Sequence, residues 1–126
     1  MVIIPGGFGT RRLINDENFI SYIKTVNPAA KLVSVCSGAL IWGKAGFLNN
    51  KNITTHKNLF SCMNDYGCKI VDKRVVCDEN VITAGGVTAG LDLGLYLCAI
   101  LYNTDIMYKI ANQMEYQLPE NFEELF

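Results

Sequence analysis

The chain has 126 residues, half of them apolar and 18% charged, which is typical of one globular domain and excludes a disordered chain. Eleven basic and twelve acidic residues give a formal net charge of −1, so no electrostatic attraction for nucleic acid or an anionic membrane is expected. No apolar run approaches the roughly 18 residues of a membrane helix and no secretory signal pattern is present, so we expect a cytoplasmic protein.

Short apolar runs alternate with amphipathic segments along the chain. In chain order the pattern predicts a strand (1–4), helix (15–26), strand (31–36), helix (38–45), strand (53–56), helix (59–66), three strands (69–71, 74–77, 81–83), two helices (88–102, 108–114) and an acidic, irregular tail (116–126). Nearly unbroken apolar strands that alternate with helices indicate a mostly parallel sheet covered on both faces. We therefore expect residues 1–126 to form a single α/β domain, a three-layer sandwich.

The metal-ligating residue types are few and poorly spaced. The five cysteines, an odd number, include no CxxC pair and are accompanied by one histidine, so neither a disulfide framework nor a zinc site is indicated. The glycine turns at residues 5–9 and 84–90 match neither a dinucleotide fingerprint nor a phosphate-binding lysine loop. We expect no metal and no cofactor.

Cys36 is the leading candidate for a catalytic residue. It ends an apolar strand and is followed by Ser37 and Gly38, which predicts a sharp strand-to-helix turn that lifts the side chain above the sheet. The amides of a helix N-terminus stabilise an anion by about 0.3–1 kcal/mol, which is too little to ionise a thiol fully. A cation or a hydrogen-bonding carboxylic acid is therefore also required, and a small buried core cysteine is the alternative interpretation.

Two further features are expected near Cys36. His56 ends a predicted strand, and the carboxyl ends of neighbouring parallel strands meet at one edge of a sheet, where it could act as a general base or orient water. The turn at Gly6 and Gly7 could present backbone N–H groups to an oxyanion. A capping or solvent-facing histidine and a simple turn are the alternatives. Asp92 could merely complement a helix dipole.

Four segments, in this order and at this spacing, resemble the ThiJ/PfpI superfamily, whose flavodoxin-like fold is similar to that of class I glutamine amidotransferases. They are residues 2–9, 35–39, 45–56 and 83–92. The chain is most similar to the isonitrile hydratase-like branch. The resemblance implies that Cys36 attacks an isocyanide carbon to form a thioimidate, with His56 and Ser37 as further catalytic residues. It also implies that Gly6, Gly7 and Ser37 bind substrate or oxyanion.

The resemblance further implies a small-molecule substrate and a homodimer. Alternatives are a glyoxalase- or deglycase-like enzyme acting on 2-oxoaldehydes, and a non-catalytic sensor or chaperone in which Cys36 is reversibly oxidised. A glutamine amidotransferase is disfavoured because Asn58 stands where its triad requires an acid. Hydratases of this branch usually carry threonine where this chain has Ser37. Residues 1–126 are expected to lack the family's first strands and helix, and with them the acid that contacts the cysteine.

Overall fold

The structure is a computed structural model, and it describes residues 1–120 and 122–125. Its strands are β1 (Val2–Ile4), β2 (Leu32–Val35), β3 (Asn52–Ile53), β4 (Lys69–Ile70), β5 (Val75–Asp78) and β6 (Val81–Ala84). Its α-helices are α1 (Gly9–Leu13), α2 (Glu17–Ile23), α3 (Ala39–Lys44), α4 (Phe60–Met63), α5 (Ala89–Leu101) and α6 (Thr104–Gln113). Short 3-10 turns lie at Cys36–Gly38, Lys57–Leu59, Asn64–Tyr66 and Phe122–Leu125.

The main sheet has the strand order β1-β2-β6-β5. β1, β2 and β6 are parallel, and in their register Val33 of β2 lies between Ile3 and Ile82. β5 is antiparallel to β6, because the two are joined by a two-residue hairpin turn in which Glu79 has a φ of 56°. β3 and β4 form a separate parallel pair. The sheet is thus mostly parallel with one antiparallel edge.

Helices cover both faces of the main sheet. Leu32 and Val33 point to opposite faces because side chains alternate along a strand. Leu32 packs in a core cluster with residues of α2 and α3, including the fully buried Trp42. Val33 packs in a second cluster with residues of α5 and α6, including Leu93 and Met107. The predicted three-layer α/β sandwich of flavodoxin-like type is therefore confirmed.

Several element boundaries differ from the predictions. Helix α1 was not predicted, since it is only five residues long and carries two arginines. α6 begins at Thr104 rather than residue 108, because the side chain of Asn103 accepts a hydrogen bond from the N–H of Ile106 at 2.9 Å and caps the helix. The strand predicted at residues 53–56 is shorter and ends at Ile53.

The two strands predicted around the turn at residues 72–73 do not pair with each other, since β4 pairs with β3 instead. In the tail predicted to be irregular, a 3-10 turn forms at Phe122–Leu125, while residues 121 and 126 lie outside the described part of the chain. Within that described part, no helix has the length and apolar character needed to cross a membrane.

Candidate functional site

Cys36 lies at a strained turn between β2 and α3. Val35 is still extended, with φ −119° and ψ 137°, whereas Cys36 has a φ of 55° and begins the 3-10 turn that leads into the helix. A residue other than glycine in this left-handed region costs roughly 1–3 kcal/mol and persists only where its surroundings enforce it. The structure therefore has the sharp strand-to-helix turn that the sequence predicted, with the half-buried thiol at its first residue.

Two glycines allow the end of β1 to contact this turn. A Cβ atom on Gly38 would lie 2.3 Å from the carbonyl oxygen of Ile4, and a Cβ on Gly6 would lie 2.7 Å from the Cβ of Cys36. Neither position has room for a side chain, because the nearest atoms belong to the backbone or to the base of a side chain. The turn after β1 and the turn after β2 are thus in direct backbone contact.

Ser37 connects the same two turns by hydrogen bonds. Its buried Oγ accepts a hydrogen bond from the N–H of Gly7 at 2.9 Å and donates one to the Gly7 carbonyl oxygen at 3.1 Å. Of the two predicted oxyanion donors, Gly7 already donates its N–H to Ser37. The N–H of Gly6 has no acceptor within the described residues, so it is the donor available to an oxyanion. The hydroxyl of Ser37 therefore fixes the glycine turn rather than pointing freely into solvent.

Thr55 holds the backbone of Cys36 from the other side. Its buried Oγ1 donates a hydrogen bond to the Cys36 carbonyl oxygen at 2.7 Å. The preceding residue, Thr54, donates its backbone N–H to Thr83 Oγ1 at 2.8 Å, which anchors this segment to β6. We did not predict a role for Thr55. The available signal was a pair of hydroxyl residues directly before the candidate histidine, at the edge where parallel strands end.

His56 is half-buried and caps the 3-10 turn Lys57–Leu59. Its Nδ1 accepts a hydrogen bond from the N–H of Asn58 at 3.2 Å. Since a backbone N–H can only donate, the neutral imidazole carries its proton on Nε2. In this tautomer Nε2–H is a hydrogen-bond donor, so the geometry favours hydrogen-bond donation by His56 over the general-base role.

All five predicted site residues line one cleft of about 640 Å³, a volume typical of small-molecule sites. The lining residues are Pro5, Gly6, Gly7, Phe8, Arg11, Val35, Cys36, Ser37, His56, Asn58, Leu59 and Val87. Their surface is mostly apolar. No carboxylate of the described residues lines the cleft, so the acid that the resemblance implies is not found there. Arg11, which was not predicted as a site residue, is the charged side chain in this lining.

The remaining cysteines lie outside the cleft lining. Cys62 and Cys77 are exposed, Cys68 and Cys98 are half-buried, and burial raises the pKa of Cys68. Among the described residues, no group of three or more histidine, cysteine or acidic side chains is placed to hold a metal ion.

Asp92 does more than complement a helix dipole. It is buried at the start of α5 and forms an ion pair with Arg74, whose Nη2 lies 2.5 Å from Asp92 Oδ2. The hydroxyl of Tyr116 donates to its other oxygen at 3.0 Å. Burial alone lowers the pKa of Arg74, but the hydrogen bond and charge of Asp92 outweigh this and raise it. The cluster joins the residue before β5 to α5 and to the segment after α6, and Asp92 does not line the Cys36 cleft.

A mostly parallel α/β sandwich with a cysteine at a strained strand-to-helix turn defines the class of flavodoxin-like proteins with a thiol at the carboxyl edge of the sheet. Comparison with known sequences identifies the family. The chain belongs to the DJ-1/PfpI family, whose sequence profile matches residues 1–99.

Among curated relatives, the chain is 38% identical over 117 residues to isonitrile hydratase from Pseudomonas putida, covering 92% of this chain and 51% of that protein. It is 30% identical over 100 residues to glutathione-independent glyoxalase DJ-1 from Schizosaccharomyces pombe, covering 77% of this chain and 52% of the relative. The chain therefore spans about half the length of these curated relatives.

Solved structures give the same family. A ThiJ/PfpI family protein from Pseudomonas syringae superposes with a TM-score of 0.84 at 32% identity, covering 94% of this chain and 51% of that chain. Schizosaccharomyces pombe DJ-1 superposes with a TM-score of 0.75 at 28% identity, covering 93% of this chain and 62% of that chain.

Proposed function

We propose that this chain carries the thiol site of an isonitrile hydratase-like enzyme, which adds water to an isocyanide carbon through a thioimidate on Cys36. The observation that carries the proposal is the strained turn at Cys36, which presents the thiol to a mostly apolar cleft of about 640 Å³. The 38% identity to an isonitrile hydratase over 92% of the chain supports this substrate class.

The first step is addition of the Cys36 thiol across the isocyanide carbon. A bond forms between sulfur and that carbon, and the thiol proton is transferred to the same carbon, which gives a thioimidate. An isocyanide is small and its substituent is usually apolar, so the apolar walls formed by residues such as Leu59 and Val87 suit it.

Water resolves the intermediate in the second step. Its oxygen bonds to the thioimidate carbon and one of its protons goes to nitrogen. The carbon–sulfur bond then breaks, and the remaining hydroxyl proton returns to the Cys36 sulfur, releasing an N-substituted formamide. The Nε2–H of His56 is suited to donate a hydrogen bond to the developing nitrogen base, and the N–H of Gly6 to the oxygen. Ser37 acts by holding the glycine turn in place.

A glyoxalase-like reaction is the second candidate, and the identity of 30% to the fission-yeast glyoxalase favours it. Here the Cys36 thiol adds to the aldehyde carbon of a 2-oxoaldehyde and forms a hemithioacetal. A proton shift within the adduct, followed by hydrolysis of the resulting thioester, gives a 2-hydroxy acid and the free thiol.

We also propose a homodimer in the cytoplasm, with a small-molecule substrate and no nucleic-acid or membrane partner.

The test supplies benzyl isocyanide or methylglyoxal to the wild-type protein and to Cys36→Ser. We expect N-benzylformamide, quantified by liquid chromatography, to form with the wild type and to fall to the uncatalysed background in Cys36→Ser. Mass spectrometry of the intact protein during turnover should reveal one isocyanide equivalent bound, located on the peptide that contains Cys36.

Cys62→Ser is the matched control, because Cys62 is exposed and lies outside the cleft lining. It should retain the wild-type rate. Consumption of methylglyoxal without formamide production would support the glyoxalase function and contradict the isonitrile hydratase function. If the folded wild type consumes neither substrate, both enzymatic proposals are wrong and reversible oxidation of Cys36 becomes the remaining interpretation.

A further inference from the structure

Arg11 has a distinctive position in the Cys36 cleft. It lies on α1, directly after the glycine turn, and it is the charged side chain among the described residues that line the cleft. The other lining groups are apolar, neutral polar or the titratable pair Cys36 and His56. A cation at the edge of an otherwise mostly apolar cleft is a feature that catalysis on the isocyanide carbon does not require.

The guanidinium of Arg11 is not paired with a carboxylate in the part of the chain that the structure describes. Within the described residues, no acidic side chain lies at ion-pair distance from it. Its carbon Cζ lies 5.6 Å from the centroid of the Phe8 ring, a cation–π contact that holds the side chain beside the cleft. Phe8 is 90% exposed, so the ring is available for this contact rather than buried in the core. The ring interacts with the positive charge of the guanidinium and does not accept its N–H hydrogen bonds, so these N–H groups can bind a ligand.

We propose that Arg11 selects electrophilic substrates that carry a carboxylate. A planar guanidinium binds a carboxylate through two parallel N–H···O hydrogen bonds, and Arg11 lines the same cleft as the Cys36 sulfur. The apolar walls accommodate the body of the molecule while the carboxylate pairs with Arg11. This inference rests on the proposed function, since it takes Cys36 as the nucleophile, and it narrows the substrate class of that site.

The test uses alkylation of Cys36 by iodoacetate, which carries a carboxylate, and by iodoacetamide, which is neutral and of similar size. In both reactions the thiolate attacks the methylene carbon, a sulfur–carbon bond forms and iodide leaves. The rates at Cys36 are measured by peptide mass spectrometry, and the ratio of iodoacetate to iodoacetamide is compared between wild type and Arg11→Gln. An exposed ion pair contributes little, so we expect this ratio to fall by about two- to fivefold. Raising the salt concentration should reduce the difference.

Three internal comparisons make the result specific. Arg12→Gln removes the same charge from the next residue of α1, which does not line the cleft, and should leave the ratio unchanged. The ratios at the exposed thiols Cys62 and Cys77 should not respond to Arg11→Gln. Phe8→Leu removes the ring contact and should lower the ratio at Cys36 by less than Arg11→Gln does.

Two outcomes would overturn the proposal. One is an unchanged ratio in Arg11→Gln. The other is an equal slowing of both reagents, which would mean that Arg11 acts on the thiolate and not on a carboxylate. Alkylation requires no turnover, so its result stands whether or not formamide is produced, and failure of the proposed function can be distinguished from failure of this inference.

Discussion

Ser37 and Gly7 are thirty residues apart in the chain, yet one hydroxyl group of Ser37 bonds to both backbone polar groups of Gly7. Gly7 belongs to the turn after β1 and Ser37 to the turn after β2, and these strands are parallel neighbours. Both turns border the Cys36 cleft. A single buried side chain therefore links the two turns by hydrogen bonds, in addition to the pairing of their strands.

Replacing Ser37 tests this relationship. Ser37→Ala removes both hydrogen bonds and should lower the free energy of unfolding by about 2 kcal/mol, since each bond has a net value of about 1 kcal/mol. It should also reduce formamide production, since the turn that carries Gly6 loses its connection to Cys36. Ser37→Thr keeps the hydroxyl and should retain most of the activity. Urea unfolding and product assays provide the measurements, and equal activity in Ser37→Ala and wild type would contradict the prediction.

The backbone strain at Cys36 leads to a separate prediction about stability. Cys36 has a φ of 55°, which glycine adopts without a steric penalty. Alanine has a Cβ atom, so it keeps the steric penalty of this conformation. Cys36→Gly should therefore be more stable than Cys36→Ala by about 1 kcal/mol, although both lack the thiol and should be inactive. Parallel urea titrations of the two variants measure the difference. If Cys36→Ala proved the more stable, the strain at this position would not be real.

The contact at Gly38 should make this position intolerant of any side chain. In Gly38→Ala the new Cβ would lie 2.3 Å from the carbonyl oxygen of Ile4, so we expect a loss of more than about 2 kcal/mol in the free energy of unfolding, or failure to fold. Gly94→Ala is the matched control, because Gly94 lies within α5 and its new Cβ would have no atom within 4 Å beyond its chain neighbours and its own helix backbone. That variant should gain up to about 1 kcal/mol, since alanine favours a helix more than glycine does.

The sequence predicted the mostly parallel α/β sandwich and the sharp turn at Cys36 because both depend on short-range patterns. Apolar runs between turn residues locate strands, and glycine after a strand-end cysteine indicates a sharp turn. His56 was expected beside Cys36, and the structure places both in one cleft. Their catalytic roles stay predictions.

The features that were missed depend on contacts between distant residues. Thr55 bonds to Cys36 across nineteen positions, and Arg74 pairs with Asp92 across eighteen. No local pattern encodes such a contact. Arg11 was not predicted as a site residue, because nothing in the sequence shows that the short helix α1 brings one of two adjacent arginines to the cleft.

Asp78 should make the stability depend on pH in the acid range. Hydrogen bonds from the backbone N–H of Asn52 at 2.7 Å, and then from its side-chain amide at 2.9 Å, lower the pKa of this carboxyl below its ordinary value of 3.8. The folded state thus favours the carboxylate form of Asp78. The contribution of this carboxylate to the free energy of unfolding is complete above the unfolded-state pKa, and it is lost as the pH falls through the lowered folded-state pKa. Asp78→Asn should therefore show a shallower decline in the free energy of unfolding toward low pH.

Urea titrations between about pH 2 and pH 6 measure this decline. Asp72→Asn is the control, because Asp72 is exposed and has no hydrogen-bond or ion-pair partner among the described residues, and it should retain the wild-type slope. Identical slopes in wild type and Asp78→Asn would contradict the prediction, because they would show that ionisation of Asp78 does not affect the free energy of unfolding.

Trp42 is the one tryptophan of the chain, and its position gives the protein an intrinsic fluorescent reporter. Its indole is fully buried beside Phe47, with ring centroids 5.6 Å apart, and its N–H donates to the carbonyl oxygen of Val33 at 3.0 Å. Val33 lies on β2, which ends directly before Cys36, and Trp42 lies on α3, which follows the turn. Emission from this single fluorophore therefore reports the local environment between the two elements that form the turn, and no extrinsic dye is needed.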